Sequence, residues 1–345
     1  MTKALRSNII GKEDLKKAGK NMLYYLFPKF AIYFNPVFGG FASFIITAIL
    51  IHLLKNKLPS DQGREFAVNG ALSKGKARGC GIIFIGVYIV LSLLLVPITP
   101  DARWETIIYL VLTFAACLEG FLDDASKIPW GELKKGLIDL IICAGAAFTF
   151  YMYNGSTVRL ALFDVSFELP AVVFVILATF LLWASINVVN CTDGVDGLCG
   201  SLSIVSIAGF LFILMGTSSA SVPAIIKCVI MIGVIAAYLL FNSSPSLVLM
   251  GDAGSRAIGL FLGLVALETG SPLSYIPICI IFILDGGLGL LKVALLRTIK
   301  LKILKNTRTP IHDHARKNKG WSDTQTVARF VIASAFIVIC YLCFI

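Results

Sequence analysis

The sequence is short of charge. Aspartate, glutamate, lysine and arginine make up 14% of its 345 residues, against roughly 25% in soluble domains, which is too little to coat a water-facing surface. Histidine is scarce as well, at three residues, and the nine cysteines are scattered through apolar runs. Only Cys340 and Cys343 lie close together. They fall inside the last apolar segment, where a redox or zinc site would lack polar support, so all nine are expected to be free. No internal repeat is present, which excludes a solenoid. The first apolar run starts too late, and lacks the small-residue cleavage site, for a secretory signal, so no segment is expected to be removed.

What the chain has in quantity is hydrophobicity, 57% of its residues. At about 20 apolar residues per crossing, spans fall near 37–55, 79–99, 104–122, 137–153, 170–189, 197–216, 224–241, 257–270, 273–296 and 326–345. The expected fold is an all-α polytopic membrane protein of about ten transmembrane helices. It is read as one domain over 1–345, with a basic or interfacial segment at 1–36. Between the fourth and fifth spans, NGSTVRLALFDVSFELP alternates polar and apolar residues around a turn-prone Asp164, which predicts a short β-hairpin outside the membrane.

Counting crossings places the loops at 56–78, 123–136, 190–196, 242–256 and 297–325 on one side. That side holds Lys55, Lys57, Arg64, Lys74, Lys76 and Arg78 in its first loop and eight further basic residues in its last, while the opposite loops offer Arg103 and Arg159. Positive-inside makes the rich side cytoplasmic, 297–325 being its large loop. The net charge of +10 therefore belongs beside anionic headgroups, and nucleic acid is not an expected partner. The seven basic residues of the N-terminal segment resist this count, which would put them outside. Either Met22–Phe34 forms an extra interfacial helix, or the later helices overrule the first segment.

Four motifs share the cytoplasmic side. GFLDDASK ends the third span with Asp123 and Asp124, followed by Lys127, Lys134 and Lys135. Adjacent helical residues point about 100° apart, so the two carboxylates are not expected to do one job; one could ligate a metal while the other handles a proton or orients a lysine. Alone, the pair equally fits a solvated membrane boundary. NVVNCTDGVDGLCG sets Asn187, Asn190, Asp193 and Asp196 three residues apart, with Gly194 and Gly197 allowing a flat ligand to approach the backbone; an ordinary polar turn is the plain alternative. NSSPSLVLMGDAGS puts Asp252 between glycines ahead of the eighth span, a loop suited to phosphate and a divalent cation, or simply to a helix cap. TPIHDHARKNKGW carries His312 and His314 among basic residues. No cysteine or further histidine completes a zinc set, so recognition of phosphate or carboxylate is the functional reading and a solvated loop the plain one.

Together the motifs say more than each does alone. Carboxylates gathered on one face would repel one another unless a cation joined them, and Mg²⁺ takes one or two carboxylates with phosphate oxygens and water. Mg²⁺ with Lys and His around it is equipment for phosphoryl transfer, and its membrane setting implies a lipid phosphate as one substrate.

In order and spacing, these four blocks resemble the signatures of the polyprenyl-phosphate N-acetylhexosamine-1-phosphate transferases, over roughly 74–330. The last block resembles the branch whose donor is UDP-MurNAc-pentapeptide. The resemblance implies a ten-helix enzyme of the bacterial plasma membrane, often a homodimer. Such an enzyme moves phospho-MurNAc-pentapeptide onto undecaprenyl phosphate at the cytoplasmic face, using Mg²⁺. It implies catalytic roles for Asp123, Asp124, Lys127, Asp252, His312 and His314, with Asp123, Asp124 and Asp252 toward the metal. It assigns Asn190, Asp193, Gly194, Val195 and Asp196 to the nucleoside, with Asn187, Asn242, Ser255, Lys134 and Lys135 also toward substrate.

Three departures stand out. The glycine motif before the second span appears only as KGKARGCG, which bears on Lys74 as a substrate residue. Leu249 stands where an aromatic is expected, and Asp313 interrupts a run of histidines. The rivals are a sister enzyme using UDP-GlcNAc and an ion-coupled transporter, for which Asp139, Glu268 and Asp285 inside the membrane would matter more than the edge acids.

Overall fold

The computed structural model describes residues 31–61, 63, 73–96, 103–126, 128, 130–216 and 222–345. The chain is an all-helical polytopic membrane protein with one small sheet. Its helices are α1 (Ala31–Leu54), α2 (Gly81–Leu95), α3 (Arg103–Ala125), α4 (Glu132–Asn154), α5 (Ala171–Thr192), α6 (Leu198–Gly216), α7 (Val222–Asn242), α8 (Gly251–Glu268), α9 (Tyr275–Ile278), α10 (Ile280–Phe282), α11 (Leu288–Thr298), α12 (Ile311–Lys319) and α13 (Asp323–Phe344). Each of the ten expected spans is helical. Among the described residues seven helices are long and apolar enough to cross a membrane, and the pair 272–278 and 280–298, bent by 69°, makes an eighth if counted as one span. The bend falls at Cys279, where the two helices break, and a π-helical turn, Ile283–Gly287, follows it inside the second helix. The Met22–Phe34 helix falls largely outside the described residues.

Local sequence explains the ends. Pro170 precedes α5 with φ −54°, already set for a helix start. Ser322 and Gln325 close a reciprocal capping box on α13. The hairpin forms as expected, β1 (Thr157–Leu160) pairing antiparallel with β2 (Val165–Glu168). Asp164 takes the left-handed conformation that Asp tolerates better than most residues, and accepts from Arg159 Nη2 at 2.7 Å.

One helix differs from the rest. Every residue of α8 from Gly251 to Leu267 is buried, whereas the outer helices expose large apolar side chains such as Phe41, Val172, Ile332 and Phe336. The partners of α8 are protein: one apolar core joins it to α2, α6 and α7, and a second joins its far end to α4 and α5. It starts six residues earlier than the expected 257, so Asp252, Gly254 and Ser255, expected in a loop, stand on its first turn. The cause is Gly251, whose φ of +67° makes the turn immediately ahead of the helix.

A helix enclosed on all sides needs neighbours that approach closely. Gly120 on α3 lies directly against the backbone of Asp252 and Ala253, where a Cβ would overlap main-chain atoms. Gly120→Ala is expected to cost about 1–3 kcal/mol by overpacking and to lower the thermal unfolding midpoint in detergent. Gly145→Ala is the control. The nearest atoms to a Cβ there are on Leu112 at 3.8 Å, an ordinary contact, and its midpoint is expected to hold or rise.

Candidate active site

Two loops meet at the α8 N-terminus through backbone bonds. Ala77 bridges both Ser60 and Val248. Leu249 N–H donates to Ala77 O at 2.7 Å and Cys80 N–H to Leu249 O at 3.0 Å. This seam brings Asp61 and Arg78 of the first loop beside Asp252. Leu249 serves the seam through its main chain, so an aromatic is not needed there for the loop to form.

The sequence-predicted aspartates gather here, each with its own partners. Asp123 accepts from Trp130 N–H at 2.6 Å and from Lys135 Nζ at 3.1 Å. Asp124 accepts from Arg78 Nε at 2.8 Å and from the backbone N–H of Ala253 at 3.3 Å. The different directions match the 100° offset of helical neighbours. Lys135 reaches Asp252 Oδ2 as well, at 3.4 Å, so one ammonium ties α3, α4 and α8 together. Phosphate was expected at the α8 N-terminus, yet the Ala253 N–H is taken by the chain's own Asp124. Its carboxylate lies so close over Gly251 that a Cβ there would strike it, and it gains from the positive end of the helix dipole.

Arg78 and Arg256 complete the network, and motif reading assigned a role to neither. Arg78 bridges Asp124, Asp61 at 3.1 Å and Asp252 at 3.7 Å. Burial opposes its charge, but Asp124, Asp252 and Asp61 outweigh that, and its pKa is raised, so it stays protonated at every pH where the protein is handled. Arg256 sits one turn along α8 and contacts Asp252 Oδ2 at 3.4 Å, Glu119 Oε2 at 3.3 Å and Asp139 Oδ2 at 2.5 Å. Its signal in the sequence was an arginine inside an otherwise apolar helix; Glu119 and Asp139, equally out of place in their spans, were its counterparts.

The carboxylates Asp61, Glu119, Asp123, Asp124, Asp139 and Asp252 outnumber the cations Arg78, Lys135 and Arg256 in this network. Both oxygens of Glu119 and Oδ1 of Asp139 are buried without a hydrogen bond. Among the described residues no three His, Cys, Asp or Glu side chains gather closely enough to enclose an ion. The donor set nevertheless fits a hard cation that takes one or two carboxylates and completes its shell with phosphate and water, because carboxylates outnumber cations among the described residues of the site.

The second motif joins this centre from α5. Asn190 Nδ2 donates to Ser255 Oγ at 2.9 Å, and Ser255 donates to Gly251 O at 3.0 Å. Asp196 accepts from Lys76 Nζ at 3.5 Å and from Ser246 N–H at 3.0 Å. Asp193 caps α5, its N–H bonded to Asn190 O, and Val195 is buried. Asn242 is buried with both amide ends used, accepting from Gly197 N–H and donating to Val248 O. It staples loops together, as does the fully buried Ser255. Asn187 bonds to Trp183 O on its own helix. Lys134 lies 3.2 Å from the Trp130 ring centroid, Lys74 is exposed, and Lys127 lies outside the described residues.

The fourth motif docks on the second. Asp285, at the π-helical turn, accepts from the His312 backbone N–H at 2.7 Å and meets its Nδ1 at 2.8 Å. Donation from Nδ1 leaves Nε2 toward Gly194, where a Cβ would collide with it. Arg316 Nη2 donates to Gly194 O at 3.1 Å and holds Asp313 at 2.9 Å. His314 Nδ1 accepts from Arg308 N–H, a loop-closing role.

Breaking the Arg256 network tests its energetics. Arg256→Met leaves three buried carboxylates without their guanidinium and is expected to destabilise by about 3–5 kcal/mol. Adding Glu119→Gln and Asp139→Asn should recover most of the lost unfolding midpoint, read by thermal unfolding in detergent.

Residues 106–270 match the family model described as Glycosyl transferase family 4. The chain is 34% identical over 316 residues to the phospho-N-acetylmuramoyl-pentapeptide-transferase of Treponema pallidum (strain Nichols), covering 87% of this chain and 86% of that protein. It is 32% identical over 316 residues to the enzyme of that name from Clostridium perfringens (strain SM101), covering 88% and 94%. With the one from Bacillus subtilis (strain 168) it shares 30% identity over 320 residues, covering 89% and 96%. A membrane-embedded transferase by fold and by kinship, this chain belongs to the phospho-N-acetylmuramoyl-pentapeptide-transferase family.

Proposed function

We propose that the protein transfers phospho-MurNAc-pentapeptide from UDP-MurNAc-pentapeptide to undecaprenyl phosphate, releasing UMP and forming lipid I for peptidoglycan. The reaction takes place at the cytoplasmic face of the bacterial plasma membrane, and the working unit is a homodimer. The observation that carries this reading is Lys135 shared between Asp123 and Asp252, with Arg78 shared between Asp124 and Asp252. Acids from two separate motifs are thereby held at one point. A transporter reading would give weight to Asp139, Glu268 and Asp285 as carriers, but Asp139 and Asp285 are engaged by Arg256 and His312, and Glu268 by Lys227.

An oxygen of the lipid phosphate attacks the β-phosphorus of the donor, the bond to the α-phosphate oxygen breaks, and UMP leaves with that oxygen. Asp123 takes the last proton from the acceptor phosphate. Lys135, touching both Asp123 and Asp252, offsets charge as two anions meet, and Arg78 keeps Asp124 and Asp252 in register. Asp252, with Asp123 and Asp124, would hold Mg²⁺, which supplies the neutralisation phosphoryl transfer requires. Asn190, Asp193, Gly194 and Asp196 hold the nucleoside, with His312 Nε2 presented beside them; Asn242 and Ser255 position those loops.

The direct test is UMP release by detergent-purified protein given undecaprenyl phosphate and Mg²⁺. Release from UDP-MurNAc-pentapeptide, abolished by EDTA, is the expected result; preference for UDP-GlcNAc would move the protein to the sister reaction. Asp252→Asn is expected to lower kcat by about 10²–10³, the scale on which removing one electrostatic stabiliser acts, with the unfolding midpoint near that of the parent. Trapping a phospho-enzyme in the absence of acceptor would overturn the direct attack.

A further inference from the structure

A cavity of about 500 Å³ lies beside the docked fourth motif. Its walls include Lys292 on α11, Lys305 and Arg308 in the following loop, and Asp313 and Asn318 on α12. Lys292 Nζ donates to Leu304 O at 3.1 Å and to Thr307 O at 2.9 Å. The loop is thus wrapped around an ammonium ion whose charge those carbonyls do not cancel. Among the described residues no carboxylate lies within ion-pair distance of Lys292, Lys305 or Arg308. The one acid in the wall, Asp313, is committed to Arg316 at 2.9 Å. Three uncompensated cations with amide and hydroxyl donors around them form a receptor for an anion.

Resting on the function proposed above, we propose that this cavity is a subsite for the donor's peptide, and that Lys305 and Arg308 bind its terminal carboxylate. The same helix serves both ends of such a donor: His312 lies against Gly194 in the expected nucleoside stretch, and Asp313 and Asn318 face the cavity. From His312 to Asn318 the helix rises about 9 Å. An extended pentapeptide reaches at most about 17 Å, so one donor molecule has the length to occupy both. A nucleotide sugar without the peptide brings no peptide carboxylate to Lys305 and Arg308, which gives the cavity a part in choosing the donor. Asp313, held by Arg316, then marks the boundary of the subsite and repels a misplaced second acid.

The test compares the parent with Lys305→Ala/Arg308→Ala, two exposed side chains with no place in the phosphoryl-transfer network. Three donors are used: UDP-MurNAc-pentapeptide, the same compound with a C-terminal carboxamide, and a peptide-free UDP-MurNAc whose lactyl carboxyl is capped as the simple amide. The double variant is expected to raise KM for the pentapeptide donor about tenfold, the scale of losing a charge-assisted hydrogen bond. Its kcat should stay within about twofold, since a change in KM alone marks binding equal in ground and transition states. With the carboxamide or peptide-free donor, parent and variant should behave alike. An unchanged KM for the pentapeptide donor, or an equal loss with the peptide-free donor, overturns the subsite. So does a loss that appears only when anionic lipid is present in the micelle, which would make the cavity a headgroup site. Donor binding, followed in parallel by thermophoresis, separates this inference from the proposed function. A parent protein that binds the donors without releasing UMP refutes the reaction, while the subsite stands or falls on the binding difference between parent and variant; a parent that binds none refutes both.

Discussion

Negative charge held inside an apolar bundle is the constraint on which the rest of this structure depends. A carboxylate removed from water must find a cation or a set of donors, or it will not stay ionised. At the α8 N-terminus that demand is met by Arg78, Lys135 and Arg256, each reaching at least two acids. The sharing sets the architecture: α3, α4 and α8 must approach until one ammonium spans them, the first loop must fold over to deliver Arg78, and glycine must stand wherever the backbones touch. Among the described residues the acids of this network exceed its bases.

The other end of the bundle shows what a buried charge looks like when structure alone is served. Lys227 pairs with Glu268 and lies over the Tyr109 ring, and Glu105 accepts from Tyr109 and Asn154. There Lys227 meets Glu268 across α7 and α8, and Glu105 rests on the neutral donors Tyr109 and Asn154. The contrast separates a helix-pinning pair from a candidate centre inside the same protein, without reference to any motif.

Between these ends, α12 acts as a coupling piece. It hangs on Asp285 at the π-helical turn, rests His312 on Gly194, and turns its other face to the cationic cavity. The turn supplies a buried acid, Asp285, to hold the histidine.

Much was legible in the sequence because it depends on near neighbours. Apolar run lengths gave the ten helical segments, alternation around Asp164 gave the hairpin, and the three-residue spacing from Asn187 placed its motif at the end of α5. The same reasoning put Asp123, Asp124 and Asp252 together, since their motifs share one side of the membrane. What it could not supply was pairing across long separations. Arg256 with Asp139, Arg78 with Asp124 and His312 with Asp285 are contacts 117, 46 and 27 residues apart, and no local period encodes them. For the same reason the bonds of Asn242 to Gly197 and Val248, and of Ser255 to Asn190, were not legible in the sequence. Residue type and spacing determined which groups this protein brings to the membrane surface; only the packing of α8 among its neighbours decided which of them share a charge, because electrostatic partners are chosen by distance in space.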